Sequence, residues 1–394
     1  MRPLASRMSV MSGEGALSVY ARAKELEREG KSIIHLELGE PDFHPAAPAS
    51  EALKRAIDQG KDRYCQVPGI PALREAIAQY LRKTREIEID SDHIVIAPGC
   101  KLVLFMALMA LVEPGDEVLY PDPGFPGYQS ITAGFGGVGI PFELSERNLL
   151  QPDPDEIAGK ITSRTKILIT NSPGNPTGTV YTDEVQRRIA ELAVEHDLIV
   201  LSDEIYARII YGGKYVSMLS YPGMRERTVL IDGFSKSFAM TGWRLGYAVA
   251  PPEITAALQM LVVNSYTCVA EFSQYGAIEA LKDSTGATPR MVAEFAKRRE
   301  QFVRELNEVP GFRCHAPEGA FYAWVNISDT GMSAEEICRV MLEEAGVAAI
   351  PGAAFGAEGK DFVRFSFASS QETLHAAVAR IQQVASAWQR SVQV

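Results

Sequence analysis

The sequence predicts an α/β fold, a mostly parallel sheet with helices on both faces, joined to a smaller α+β part. Three observations carry this. From Ile94 onward short apolar runs alternate with amphipathic stretches, the pattern of strands linked by crossover helices. Two of those runs end abruptly in loops rich in proline and glycine or in acid, at the strand end where an open parallel sheet gathers its ligands. After about residue 290 the elements shorten and the alternation changes character.

Taken in order, Ala16 to Glu29 has helical periodicity and Ile33 to Leu38 reads as a strand. Helices over Ala49–Gln59 and Ile70–Arg82 flank a polar stretch holding Tyr64 and Pro68-Gly69. The alternation then runs as strand Ile94–Ala97, helix Lys101–Val112, strand Glu117–Tyr120, strand Lys166–Thr170 and helix Thr182–His196. Strands Leu198–Ser202, Thr228–Asp232 and Leu245–Ala250 complete it. A long charged helix, Met291–Val309, opens the last part. Strand Phe321–Asn326, helix Ala334–Ala345, strand Phe362–Phe367 and helix Gln371–Ala387 follow, with no repeats or low-complexity tracts.

A chain of 394 residues has room for one large unit and a smaller one, each with its own core. Its 46% hydrophobic and 23% charged residues are ordinary for a globular protein. A net charge of −11 and an isoelectric point near 5.2 argue against nucleic acid or an anionic membrane as partner. The longest apolar run, Leu102 to Val112, is too short to span a bilayer. No apolar segment follows Arg2 and Arg7 as in a secretory signal, so a cytoplasmic protein is expected. Five scattered cysteines without a C-x-x-C pair, and six histidines without ligand spacing, predict reduced thiols and no metal site. The G-x-G-x-x-G stretch Gly134–Gly139 runs into Ile140-Pro141 rather than opening a helix, which argues against dinucleotide binding.

Lys236 is the most informative residue. It lies in Asp232-Gly233-Phe234-Ser235-Lys236-Ser237-Phe238-Ala239-Met240-Thr241-Gly242-Trp243-Arg244. A lysine amine condenses with an aldehyde, and Ser235 with Arg244 suits a phosphate dianion. By itself the segment would equally fit a surface lysine beside a tight turn. Upstream, Asn171-Ser172-Pro173-Gly174-Asn175-Pro176-Thr177-Gly178 ends the Lys166–Thr170 run in a loop where the Asn175 amide can donate a hydrogen bond. The next run, Leu198–Ser202, leads straight into Asp203-Glu204-Ile205-Tyr206. An acid at the tip of an apolar strand is costly to bury unless a cation or donor meets it. A protonated pyridine nitrogen is such a partner, and Tyr206 could reach the same ring.

These three segments, in this order, resemble the class I/II aminotransferases, the aspartate aminotransferase-like enzymes of fold type I that use pyridoxal 5'-phosphate. The likeness runs from Leu38-Gly39-Glu40-Pro41-Asp42-Phe43 to Val363-Arg364-Phe365-Ser366-Phe367. It implies a large cofactor-binding domain over residues 46–290, with a sheet of the seven-stranded type. Residues 1–45 and 291–394 would together form the small domain. The implied activity is transamination: an amino group passes from an L-amino acid to a 2-oxo acid, 2-oxoglutarate, by a ping-pong route through a Schiff base on Lys236.

The same resemblance assigns roles. Lys236, Asp203 and Tyr206 form the catalytic set, with Asp203 keeping the ring nitrogen protonated. Asn175 and Tyr206 would hydrogen-bond the phenolic oxygen of the ring. Gly99, Cys100 and Lys101, at the N-terminus of an apolar helix, would hold the phosphate together with Ser235 and Arg244. Phe125 would stack on the ring, and Tyr64 would reach the phosphate of the neighbouring subunit, which implies a homodimer with shared sites. Arg364, an arginine in a strand of phenylalanines, would capture the substrate α-carboxylate, with Gly39 and Asn175 beside it. Three positions depart from the family pattern: Gly233 where many relatives carry serine, Cys100 where serine or glycine is common, and Gly174 where asparagine or histidine is frequent.

Alternatives remain at this stage. The same Lys236 and Asp203 would serve a β-lyase acting on cysteine conjugates. A cofactor-binding transcription regulator would need a DNA-binding domain ahead, and the roughly 30 residues before the match show no helix-turn-helix pattern. The donor stays open as well. Lys101 would suit an acidic side chain, whereas Phe125, Tyr128 and Phe365 would suit an apolar or aromatic one.

Overall fold

The computed structural model describes residues 3–13 and 15–391. Met1, Arg2, Glu14 and residues 392–394, all in the segments expected to form the small domain, lie outside them. Helix α1 (Gly15–Arg28) leads to the two-residue strand β1 (Ile34–His35), then to α2 (Ala47–Asp58) and α3 (Pro71–Arg85). Prolines start α2 and α3, because a first-turn residue has no intrahelical partner for its N–H in any case.

The main sheet comes next: β2 (Ile94–Ala97), β3 (Glu117–Asp122), β4 (Val138–Glu143), β5 (Thr165–Asn171), β6 (Ile199–Asp203), β7 (Thr228–Gly233) and β8 (Gly246–Val249). Helices α4 (Cys100–Leu111), α5 (Gly127–Gly134), α6 (Pro154–Lys160) and α7 (Asp183–Glu195) connect its strands. The spatial order is β2-β8-β7-β6-β5-β3-β4. Strand β8 runs antiparallel to β2 and β7, and the other pairings are parallel. Both faces are covered, and alternate residues of β5 divide between them. Ile167 and Ile169 pack with Val103 and Ala107 of α4, while Leu168 packs with Ile189 and Ala193 of α7.

Helices α8 (Pro252–Val263), α9 (Glu271–Lys282) and α10 (Ala287–Leu306) lead to β9 (Arg313–Cys314) and β10 (Tyr322–Asn326). Then come α11 (Ala334–Glu343), β11 (Val347–Ala348), β12 (Ile350–Pro351), β13 (Phe362–Ser366) and α12 (Gln371–Ser391). A second sheet, antiparallel, has the order β12-β13-β10-β9. Strand β1 pairs in parallel with β11, which ties the N-terminal segment to the C-terminal elements.

Several elements differ from the sequence reading. The strand expected over Ile33–Leu38 keeps ladder pairing only at Ile34–His35, because Leu36 and Glu37 offer their carbonyls to Ser366 N and Arg364 instead. Strand β8 is the antiparallel member of the main sheet, which is otherwise parallel as the mostly parallel expectation allows. Helices α5, α6, α8 and α9 were not expected; α5, α8 and α9 have no capping side chain at their starts, whereas α6 carries the Asp153 cap and was overlooked. Strand β4 was also missed. It is one of the two edge strands, where Pro141 costs less than in mid-sheet and the burial pattern is irregular. Among the described residues no helix is long and apolar enough to cross a membrane.

Candidate active site

Strands β5, β6 and β7 end side by side, with Asn171 paired to Asp203 and Asp203 to Ile231. Beyond those ends opens a cavity of about 360 Å³. Its walls bring together Gly39, Cys100, Lys101, Phe125, Asn175, Asp203, Tyr206, Ser235, Lys236, Arg244 and Arg364. Residues from nearly the whole length of the chain thus meet at the carboxyl edge of one sheet, as ligand sites in open α/β sheets do.

Lys236 sits on the turn after β7, and its Nζ donates to the Gly39 carbonyl. Burial, seconded by the positive charge of Arg364, lowers its amine to about 8. Arg364 is 4% exposed; it donates Nη1 to Asn175 Oδ1 at 2.9 Å and Nη2 to the Glu37 carbonyl. Its guanidinium lies 4.5 Å from the Tyr322 ring centroid and 4.8 Å from that of Phe355. Tyr206 shares a 2.7 Å hydroxyl–hydroxyl hydrogen bond with Tyr322, whose oxygen also fills the space where a side chain at Gly39 would begin. Any residue but glycine at position 39 would collide there.

Asp203, partly open to the cavity, accepts a 2.9 Å hydrogen bond from the Tyr128 hydroxyl and one from Ile205 N. Burial raises it to about 6 despite those donors. A carboxylate held so high gains from a cationic partner, and the cavity side is open for one.

The opposite corner is shaped for an anion. Gly99, at φ +94°, precedes the first turn of α4, and Cys100 and Lys101 of that turn line the cavity. The positive φ at Gly99 favours glycine, and a Cβ there would lie 2.7 Å from Arg244 Nη2 and push that guanidinium aside. Arg244 is itself held by the Thr241 carbonyl at 2.8 Å and remains exposed toward the cavity. The departure at Gly233 follows from the backbone and the Cys100 side chain packed against it. A Cβ at position 233 would stand 2.8 Å from Cys100 Sγ and equally near Gly246 Cα. Burial pushes the Cys100 thiol well above its usual value.

Tyr64 is the outlier. It is 87% exposed and lies away from the cavity, beside Arg63 and Cys268. Sequence reasoning missed Tyr322, Asn171 and Glu37, and gave Tyr128 no role beyond a possible apolar cluster. Asn171 Nδ2 donates to the Asp203 carbonyl at 3.1 Å, and its Oδ1 accepts from Asn175 N at 2.8 Å. Its place as the last residue of a buried run was the available signal.

A doubly covered α/β sheet with a half-buried lysine and aspartate and a buried arginine around one cavity defines an enzyme acting on small molecules. The family model described as "Aminotransferase class I and II" matches residues 31–381, and the chain belongs to that family. It is 40% identical over 386 residues to a "probable aspartate/prephenate aminotransferase" of Aquifex aeolicus, covering 96% of this chain and 98% of the relative. To the aspartate aminotransferase of Pyrococcus abyssi it is 42% identical, over 90% and 92% of the two chains. The solved structure of the Thermus thermophilus aspartate aminotransferase with maleate superimposes with a TM-score of 0.93. That pair is 36% identical over 98% of this chain and all of the other. The chain is therefore a transaminase, and the elimination alternative gains no support from these relatives.

Proposed function

We propose that this chain is a cytoplasmic, homodimeric enzyme that binds pyridoxal 5'-phosphate in the cavity. It would move the amino group of a dicarboxylic L-amino acid to a 2-oxo acid, 2-oxoglutarate. The observation that carries this reading is the meeting of Lys236, Asp203, Arg244 and Arg364 around one space. The donor set fits the cofactor. An amine lowered to about 8 is available for an aldehyde, and a carboxylate raised to about 6 calls for a cationic ring nitrogen. The glycine-shaped rim with Arg244 suits a phosphate. When bound, pyridoxal phosphate supplies an aldehyde for the amino group and a ring that accepts the charge left at the donor's α-carbon.

The residues divide the remaining work. Lys236 would hold the aldehyde carbon and later move the proton from the donor's α-carbon to that aldehyde carbon, which an amine near 8 does well at neutral pH. Asp203, steadied by Tyr128, would keep the ring nitrogen protonated. Asn175 and Tyr206 would address the phenolic oxygen, and Phe125 would lie against the ring face. Gly99, Cys100, Lys101, Ser235 and Arg244 would surround the phosphate, joined by Tyr64 from a second subunit. The exposure of that tyrosine supports its reaching outward. Arg364 would grip the α-carboxylate beside Asn175 and Gly39. In domain terms, residues 46–290 would hold the cofactor, with 1–45 and 291–394 closing over it.

A dicarboxylic donor is supported by Lys101, a cation on the cavity wall whose ammonium stands 5.5 Å from the Phe125 ring centroid. It is also supported by the relatives named for aspartate and by the dicarboxylate maleate in the Thermus structure. The test is the visible spectrum of the purified protein with pyridoxal phosphate. A yellow band that bleaches with aspartate and returns with 2-oxoglutarate is expected. Absence of any band would overturn the role of Lys236, and faster bleaching by phenylalanine would overturn the donor class.

A further inference from the structure

Directly behind the cavity lie two more carboxylates. Glu204 follows Asp203 in the chain and has no exposed surface; Asp232, next to Asp203's strand partner Ile231, is 2% exposed. One cation serves both. Arg85, the last residue of α3 and 4% exposed, donates Nη1 to Glu204 Oε2 at 2.6 Å and Nη2 to Asp232 Oδ2. The other carboxylate oxygens are occupied as well. Glu204 Oε1 accepts from Ser217 Oγ at 2.7 Å and from Ser202 Oγ and Met218 N at 3.1 Å. Asp232 Oδ2 accepts from the Tyr247 hydroxyl at 2.9 Å, and its Oδ1 from Gly233 N at 2.6 Å.

None of the three charged residues lines the cavity. Two carboxylates to one guanidinium leave a net negative charge in the interior, where a packed apolar trio of similar volume often holds a fold as well or better. Stability alone therefore does not account for the cluster. Its location does: Glu204 adjoins Asp203, and Asp232 lies at the end of β7, which leads into the turn that carries Ser235 and Lys236.

We infer that Arg85 is a positioning residue which, through Glu204 and Asp232, sets how readily Asp203 ionises and fixes the turn bearing Lys236. The inference rests on the proposed function, because the ionisation of Asp203 matters when a protonated ring nitrogen faces it. After burial and its own hydrogen-bond donors, the charges of Asp232 and Glu204 act on Asp203 to raise it. Arg85 offsets both. The other polar groups near Asp203 are Tyr128, Tyr206, Cys100 and Lys236; those around Arg85 are Tyr80, Tyr215 and Tyr247.

The test is the affinity for pyridoxal phosphate, read by tryptophan fluorescence between about pH 5 and about pH 8.5, a window around the raised carboxyl. Affinity falls as pH drops through the Asp203 pKa. In Arg85→Gln the two carboxylates lose their counter-charge, so the midpoint moves up by about one pH unit. Asp232→Asn removes one negative charge and moves the midpoint down by a comparable amount. Arg85→Lys keeps the charge and returns the midpoint to that of the wild type. Unchanged midpoints, or shifts in the same direction for Arg85→Gln and Asp232→Asn, would show a merely structural cluster and overturn the inference. Should Arg85→Gln not fold, the downward shift in Asp232→Asn decides alone. Failure of the wild-type chain to bind the cofactor at any pH would overturn both readings, whereas equal midpoints overturn this one only.

Discussion

Replacing Arg364 by lysine keeps a positive charge in the cavity and removes the fork. In the structure the guanidinium is fixed by Asn175 Oδ1, the Glu37 carbonyl and two aromatic rings, at 4.5 and 4.8 Å from their centroids. A lysine ammonium has neither the plane for that stacking nor paired donors for a carboxylate. One charge-assisted hydrogen bond to the donor is therefore lost, a contribution of about 1.5–3 kcal/mol. That corresponds to roughly a 10- to 150-fold loss of affinity. The loss should appear as a raised KM of similar size for aspartate, alanine and phenylalanine, because all share the α-carboxylate, with kcat less affected. Steady-state kinetics at saturating 2-oxoglutarate measure it. A rise confined to one donor would mean that Arg364 reads the side chain, and the assignment would fall.

Lys236→Met should fold but not turn over, and it tests the lowered amine directly. A base at about 8 in the folded chain against 10.5 unfolded binds fewer protons when folded, so its contribution to stability rises with pH between those values. The wild type without cofactor should thus gain about 3 kcal/mol over Lys236→Met between about pH 8 and pH 10.5; urea titrations showing a constant difference would contradict the lowered pKa. Gly99→Ala must place a Cβ at φ +94° and 2.7 Å from Arg244, so stability should drop by at least about 1 kcal/mol and cofactor affinity with it. Equilibrium dialysis that finds unchanged affinity would remove the rim from the phosphate site. Tyr64→Phe, at an exposed position, should leave the melting temperature within about 2 °C yet weaken cofactor retention. Full retention would speak against a role across subunits.

What the sequence disclosed was what the chain places locally. Asn175, Asp203 and Lys236 each follow within a few residues of a buried strand, so a run of apolar residues ending in polar chemistry pointed to them. Tyr322, Glu37 and Arg85 gave no comparable sign. Tyr322 meets Tyr206 across 116 positions, and Arg364 meets Glu37 across 327. Such contacts are set by how two sheets and the N-terminal segment assemble, which no local pattern records. Arg85 lies beyond the helix end expected at Arg82 and is one of three basic residues in the last turn of α3, where cations suit the helix end; its burial against Glu204 and Asp232 is visible only in the fold.

The stretch from Leu36 to Gly39 has a consequence for the timing of catalysis. Its carbonyls accept from Ser366 N, Arg364 and Lys236, the last two being the groups assigned to the substrate and to the cofactor. A single short run of backbone is thus wired to both reacting partners. When Lys236 leaves Gly39 for its chemical task, the run loses one tether while Arg364 still holds another two residues away. With Arg364 gripping the substrate and Lys236 holding the cofactor as proposed, both exchanges run over the same few backbone atoms, and any energy that couples them acts equally in both directions.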